Sequence, residues 1–347
     1  SPDDPTTRYL YRVSMDGKGK AERLTPSDLT GHNSYQISPD TRYALHTYSS
    51  AAVPNRISIV SLPDHRPVRQ LIGNESLKKS YTSLKISPKE FFTVDIGDGV
   101  ILYCSMIKPY DFDPLKKYPV IFHVYGEPAG STVQNSFGGG DLWHQFLAQQ
   151  GYIIMSVDNR GTAMFRGREW RKCIYGQIGI LASHDQARAA RKITETYSFV
   201  DPDRIGIWGW SGGGSMTLNC MFRYPDIYRT GIAIAFVSNQ KFYDSIYQER
   251  YMGLPDTNED GYRNGSPVTH VAGLKGNLLL IHGTGDDNVH YQNMEYLVNE
   301  LIRQNKIFSM IGYPNRSHGI YEGPNTTRHL YETMFWYLRK NLPAGGR

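Results

Sequence analysis

The sequence predicts an α/β protein: a doubly wound, mostly parallel sheet preceded by a short all-β segment. Three observations carry this reading. Over most of the 347 residues, apolar strand-like runs alternate with amphipathic helical runs, which implies parallel strands joined by crossover helices. Residues 1–75 instead hold short Tyr-, Val- and Ile-rich runs split by Pro-Asp, Asp-Gly and Pro-Asn turns. A Gly209-x-Ser211-x-Gly213 pattern falls between a strand and a helix.

The elements follow in order. "RYLYRVS", "NSYQISPDTRYALHTYSS" and "NRISIVSL" read as about four strands within 1–75, enough for one blade of a β-propeller. One blade cannot bury both faces alone. The chain also starts without Met and drops straight into strand-like alternation. It is therefore expected to be part, or a processed form, of something longer. From residue 76 the pattern changes. "FFTVDIGDGVILYCSMIKP" reads as a hairpin closing on Gly97, Asp98 and Gly99. Strands then follow at "YPVIFHVYG", "YIIMSVDNRG", "DRIGIWGW", "YRTGIAIAFV", "GNLLLIHG" and "KIFSMIGYP". Helices are expected at "DLWHQFLAQQG", "SHDQARAARKITETYS", "GGGSMTLNCMFRYP", "YQNMEYLVNELIRQN" and "TTRHLYETMFWYLRKNL". The expected division is thus 1–75 and 76–347. Functional sites in such sheets sit at the C-terminal ends of the strands.

Composition narrows the function class. The chain is 39% hydrophobic, with 25 Tyr, and carries a net charge of +5 spread along its length, which fits a folded globular protein. No apolar run is long enough to span a bilayer. The densest basic patch, "RGREWRK" at 166–172, reads as a solvated or ion-paired loop, so no nucleic-acid partner is expected. Cys104, Cys173 and Cys220 suit neither a zinc site nor a redox pair. No His, Asp or Glu set has metal-ligand spacing, so neither metal nor cofactor is expected.

Ser211 is the candidate nucleophile. A sharp strand-to-helix turn needs glycines two before and two after the serine. It leaves the hydroxyl exposed at a helix N-terminus, where backbone N–H groups can stabilise an oxyanion. A serine needs a base, and the base an orienting acid. Asp286 follows the strand "LLLIHG", and His318 follows the next strand. The order Ser, Asp, His suits this fold. Asp286, first after its strand, is chosen over Asp287. His282 and His290 flank the acid loop and read as supporting residues. His123, within a strand, reads as buried and hydrogen-bonded.

With these residues in hand a resemblance is plain. "IWGWSGGG", "YDSIYQERYMG", "LLIHGTGDDNVH" and "SHGI" resemble the dipeptidyl peptidase IV branch of the prolyl oligopeptidase family, over essentially the whole chain. The resemblance implies an α/β-hydrolase domain preceded by the last blade of a β-propeller. It implies a serine peptidase that releases N-terminal dipeptides of Xaa-Pro or Xaa-Ala type from peptide substrates through an acyl-enzyme, with an S1 pocket that accepts proline. Ser211, Asp286 and His318 resemble the family's nucleophile, acid and base. Tyr125 and the backbone N–H of Gly212 resemble its oxyanion hole. Val237, Tyr243, Tyr247 and Val289 match residues lining the S1 pocket, with Gln240 in the same segment, and Asn288 matches a substrate-carbonyl contact. Without the resemblance, these tyrosines and valines would read as core. The resemblance also implies a homodimer and an exported parent, in a bacterial periplasm or at a cell surface. Other acyl hydrolases on the same scaffold, and a non-catalytic interaction protein, are the competing readings.

The sequence departs from the family at three positions. Gly212 stands where Tyr usually follows the nucleophile, Gln240 where Trp is frequent, and Glu127 where a small residue is usual. The first two remove apolar wall from S1, which leaves two expectations: a wider or more polar pocket with altered or relaxed P1 preference, or a gap filled by neighbouring residues with proline still preferred. Glu127 reads as a local salt-bridge partner. By resemblance, the glutamates that hold the substrate amine lie in propeller sequence outside this chain.

Overall fold

The structure, a computed structural model, describes residues 1, 3–138 and 141–347. A two-stranded pair, β1 (Tyr11–Arg12) and β2 (Glu22–Arg23), precedes a four-stranded antiparallel sheet. That sheet comprises β3 (His32–Ile37), β4 (Tyr43–Ser50), β5 (Val53–Ser61) and β6 (Pro67–Ile72), paired in sequence order. It has the form of one propeller blade. Its outer strand β6 is exposed along its whole length, with Val68, Leu71 and Ile72 among the exposed apolar residues.

A helix α1 (Glu75–Thr82) leads into an eight-stranded sheet. β7 (Lys89–Asp95) and β8 (Ile101–Ile107) form the expected hairpin. β9 (Tyr118–His123), α2 (Asp141–Gln149), β10 (Ile153–Asp158), α3 (Gly167–Lys172), α4 (Leu181–Thr196), β11 (Val200–Trp210) and α5 (Gly212–Arg223) follow. After them come β12 (Thr230–Ile234), α6 (Ser245–Met252), α7 (Glu259–Gly265), β13 (Asn277–Gly283), α8 (Gln292–Arg303), β14 (Ser309–Tyr313) and α9 (Thr326–Asn341). The spatial order is β14-β13-β12-β11-β9-β10-β8-β7. The strands from β10 to β14 in this order run parallel, and β8 and β7 add antiparallel pairs at one edge.

Both sheet faces are buried, which is why these strands read as continuous apolar runs. On one face Val120, Phe122, Ile205, Ile207, Leu278 and Leu280 pack with residues of α4, α5 and α8. On the other, Ile121, Trp208, Leu279 and Ile281 pack against α2 and α9. Alternate residues of one strand thus serve opposite layers. The chain adds β10 on one side of β9, then reverses and adds β11 on the other. A crevice opens at such a reversal, beyond the C-terminal strand ends. Tyr125 follows β9 there, and Ser211 follows β11.

Four helices differ from expectation, α1 being the first, since no helix was expected before the one that starts at residue 141. The basic run at 166–172 is not a loop: it forms α3, with Arg166 stacked 3.8 Å over the Trp170 ring. α6 and α7 fill a stretch to which no element was assigned. They bury few apolar side chains, so no helical stripe announces them. Asp244 and Asn258 start them by accepting the backbone N–H groups of Tyr247 and Gly261.

Candidate active site

The turn after β11 is unusually tight. Ser211 has φ 59° and ψ -123°, a region costly for a residue with a side chain. Its N–H bonds Ile234 O at 2.8 Å, and its carbonyl accepts the Ser215 N–H at 3.1 Å as α5 begins. The two flanking glycines are a steric necessity. A Cβ on Gly209 would lie 2.3 Å from Gly213 O, and one on Gly213 would lie 2.2 Å from Val124 O. The Ser211 hydroxyl has no hydrogen-bond partner among the described residues. Such contacts are often loose without substrate.

Asp286 and His318 meet. The loop after β13 buries Asp286 to 6% exposure, and the loop after β14 brings in His318, whose Nδ1 lies 2.8 Å from Asp286 Oδ2. With Nδ1–H donating to the carboxylate, Nε2 is left as the acceptor. Asp286 Oδ1 accepts the N–H groups of Asn288 at 3.0 Å and Val289 at 2.8 Å. Beneath it lies fully buried His282. Its Nε2 donates to Val289 O at 2.8 Å and sits 3.3 Å from Asp286 Oδ2. Burial pulls the Asp286 carboxyl upward. The hydrogen bonds of His282 and His318 outweigh this and hold it well below the usual carboxylate range. Trp210 Nε1 donates to His318 O at 2.9 Å, tying the His loop to the end of β11. The supporting role read for His282 fits this contact. His123 differs from expectation: among the described residues it makes no hydrogen bond, and its ring stacks 4.6 Å from Trp208.

Tyr125 and the start of α5 flank the crevice. Burial, and next the Glu127 carboxyl, keep the Tyr125 phenol above its ordinary value, so it remains a donor. Tyr243 and Tyr247 stand edge to face at 5.3 Å. The Tyr243 hydroxyl donates to Asn288 Oδ1 at 2.9 Å, linking this wall to the acid loop. Val289 is fully buried and Val237 is 5% exposed, its N–H bonded to Ser215 Oγ at 2.9 Å. Gln240 is held in a buried network: its Oε1 accepts from Gln248 Nε2 at 2.6 Å, and its Nε2 donates to Gly265 O at 3.2 Å.

Glu127 is no salt-bridge partner. It is 8% exposed, and Oε2 accepts the Tyr247 hydroxyl at 2.9 Å. No cation pairs with it among the described residues. Burial lifts its pKa to about 7, against the Tyr247 hydrogen bond that lowers it. It also fills the space beside Gly212. A Cβ there would lie 2.8 Å from Glu127 Cδ and 2.9 Å from Oε2. Gly212 and Glu127 are two halves of one exchange, in which the missing side chain at 212 makes room for the carboxyl from the β9 loop. Reading each departure by itself missed this. Their joint occurrence was the available signal.

The profile described as the prolyl oligopeptidase family matches residues 141–344, and that of the dipeptidyl peptidase IV N-terminal region matches residues 1–55. The chain is 38% identical over 322 residues to the probable dipeptidyl-aminopeptidase B of Aspergillus terreus, covering 91% of this chain and 35% of that protein. It is 33% identical over 353 residues to human dipeptidyl peptidase 8, covering 98% of this chain and 38% of that one. The solved dipeptidyl peptidase 4 of Porphyromonas gingivalis superposes with a TM-score of 0.92 at 38% identity, over 98% of this chain and 47% of that one. The chain thus spans roughly a third of the length of the curated relatives it matches.

Proposed function

Because the chain belongs to the dipeptidyl peptidase IV branch of the prolyl oligopeptidase family, we propose that the protein it is part of is a serine peptidase that releases N-terminal dipeptides. The observation that carries this is the 2.8 Å contact from His318 Nδ1 to Asp286 Oδ2, beside a serine held at positive φ on a strand-to-helix turn.

In this reading Ser211 Oγ attacks the carbonyl carbon after the second residue and passes its proton to His318 Nε2. The oxyanion accepts hydrogen bonds from the Gly212 N–H and the Tyr125 hydroxyl. Collapse breaks the peptide C–N bond, and His318 gives its proton to the leaving amine. Water then repeats the sequence on the acyl-enzyme, releasing the dipeptide. Asp286 holds the imidazole in the required tautomer. Val237, Tyr243, Tyr247 and Val289 contribute the P1 pocket, and Asn288 meets a substrate carbonyl. The substrate amine is held by propeller residues beyond this chain.

A homodimer is part of the proposal. It is supported by Trp336, 61% exposed on α9. Export of the whole protein is also proposed, on the likeness to a bacterial relative. No helix among the described residues is long and apolar enough to cross a membrane.

The test is labelling with a fluorophosphonate probe, with the adduct located by mass spectrometry beside a Ser211→Ala control. An adduct on Ser211, lost in the control, is expected. Absence of labelling in the whole protein would overturn the peptidase reading.

A further inference from the structure

Glu127 is a buried carboxyl whose partner is a phenol and not a cation. Its Oε1 has no hydrogen-bond partner among the described residues. That oxygen is not fully closed off from solvent, so in an otherwise buried carboxyl it is the one atom free to accept a hydrogen bond from a ligand. The location indicates which ligand group that is. A scissile carbonyl oxygen bound at the Gly212 N–H places the P1 Cα one bond from the attacked carbon, and the P1 side chain within a few bonds of the space beside Gly212. The Glu127 carboxyl already occupies that space. Tyr247 closes it by its hydrogen bond, and Tyr243 stands edge-on to Tyr247. The carboxyl takes up room that a longer side chain would need, and it puts an acceptor at the wall.

We infer that Glu127 is a specificity-determining residue, selecting a small P1 side chain that donates a hydrogen bond, serine or threonine, over an apolar one of equal size. This rests on the peptidase reading above and names the substrate class of that site. A site that offers a hydrogen-bond partner discriminates by the polar group left unpaired in the wrong complex. One methylene more or less in an apolar pocket discriminates far less.

The experiment uses the whole protein that contains this chain. kcat/KM is measured for chromogenic dipeptide substrates alike except for Ser, Ala or Lys at P1. At pH 8, where Glu127 with its pKa of about 7 is ionised, the Ser substrate is expected to exceed the Ala substrate by about 10-fold, the usual worth of a hydrogen bond to a charged group. Glu127→Met, similar in volume and without the acceptor, is expected to bring that ratio to about one, and Glu127→Gln to retain part of it. A wild-type ratio at or below one overturns the inference. So does a ratio unmoved by Glu127→Met, or a Lys substrate that outruns both others. Should the Met variant not fold, product dipeptides serve as competitive inhibitors of the wild type. Xaa-Ser must then bind more tightly than Xaa-Ala. Fluorophosphonate labelling separates the two failures. An unlabelled wild type fails the peptidase reading, whereas a labelled one without serine preference fails this inference alone.

Discussion

Ser211 carries a hydroxyl that is a weak nucleophile until a base takes its proton. In the proposed mechanism that base is His318, oriented by Asp286, and Asp286 is held by two backbone N–H groups and two imidazoles. Asp286→Asn should keep the loop but invert the His318 tautomer, lowering kcat by about 10^4-fold in steady-state assays. Tyr125→Phe should lower kcat by roughly 10^2-fold with little change in KM if, as proposed, the phenol meets charge that develops only in the transition state. Glu127 yields a pH prediction with a definite sign. The folded chain binds this proton more tightly than an unfolded chain does, because burial lifts the pKa from 4.5 to about 7. Its contribution is therefore full at low pH and is lost as pH rises from 4.5 through about 7. Relative to Glu127→Gln, the wild type should lose up to about 3 kcal/mol between pH 5 and pH 8, read by denaturant unfolding at both.

At the scale of elements, the β9 loop and the N-terminus of α5 are fitted to each other. Gly212→Ala places a Cβ against the Glu127 carboxyl. It should cost about 1–2 kcal/mol, as overpacking does. In a Glu127→Ala background the same change should cost almost nothing. A double-mutant cycle of thermal unfolding measures the coupling, and additive effects would contradict the fit. Gly213→Ala has no such relief, because its Cβ meets the rigid carbonyl of Val124 at 2.2 Å. The alternation of strands and helices was legible in the sequence because both sheet faces are buried and helices such as α8 bury one stripe, here Met294, Leu297 and Leu301. α6 and α7 were not legible, being short, little buried and held mainly by capping.

At the scale of the molecule, the chain presents two surfaces that fit further contact. One is the β3–β6 sheet, whose edge strand β6 is exposed throughout. A strand edge of this kind is a template for pairing unless it is covered. The other is α9, where Trp336 stands 61% exposed although Tyr337 and Leu338 beside it are buried. Trp336→Glu in the whole protein should shift a dimer to monomer without unfolding it, as read by sedimentation velocity.

The sequence by itself determined the fold class, the strand-turn-helix at Ser211 and the placement of Asp286 and His318 after consecutive strands. These follow from local rules: periodicity sets the elements, and a tight turn admits only glycine at Gly209 and Gly213. Only the tertiary structure decided what Glu127 does. Its carboxylate in the loop after β9 read as a local salt-bridge partner. Instead β9 and β11 lie side by side, so their loops converge, and the space left by one residue without a side chain is taken by another 85 positions away in the chain. Local sequence carries no trace of such a contact, because it depends on which strands are neighbours. That neighbourhood is set by the packing of the whole sheet.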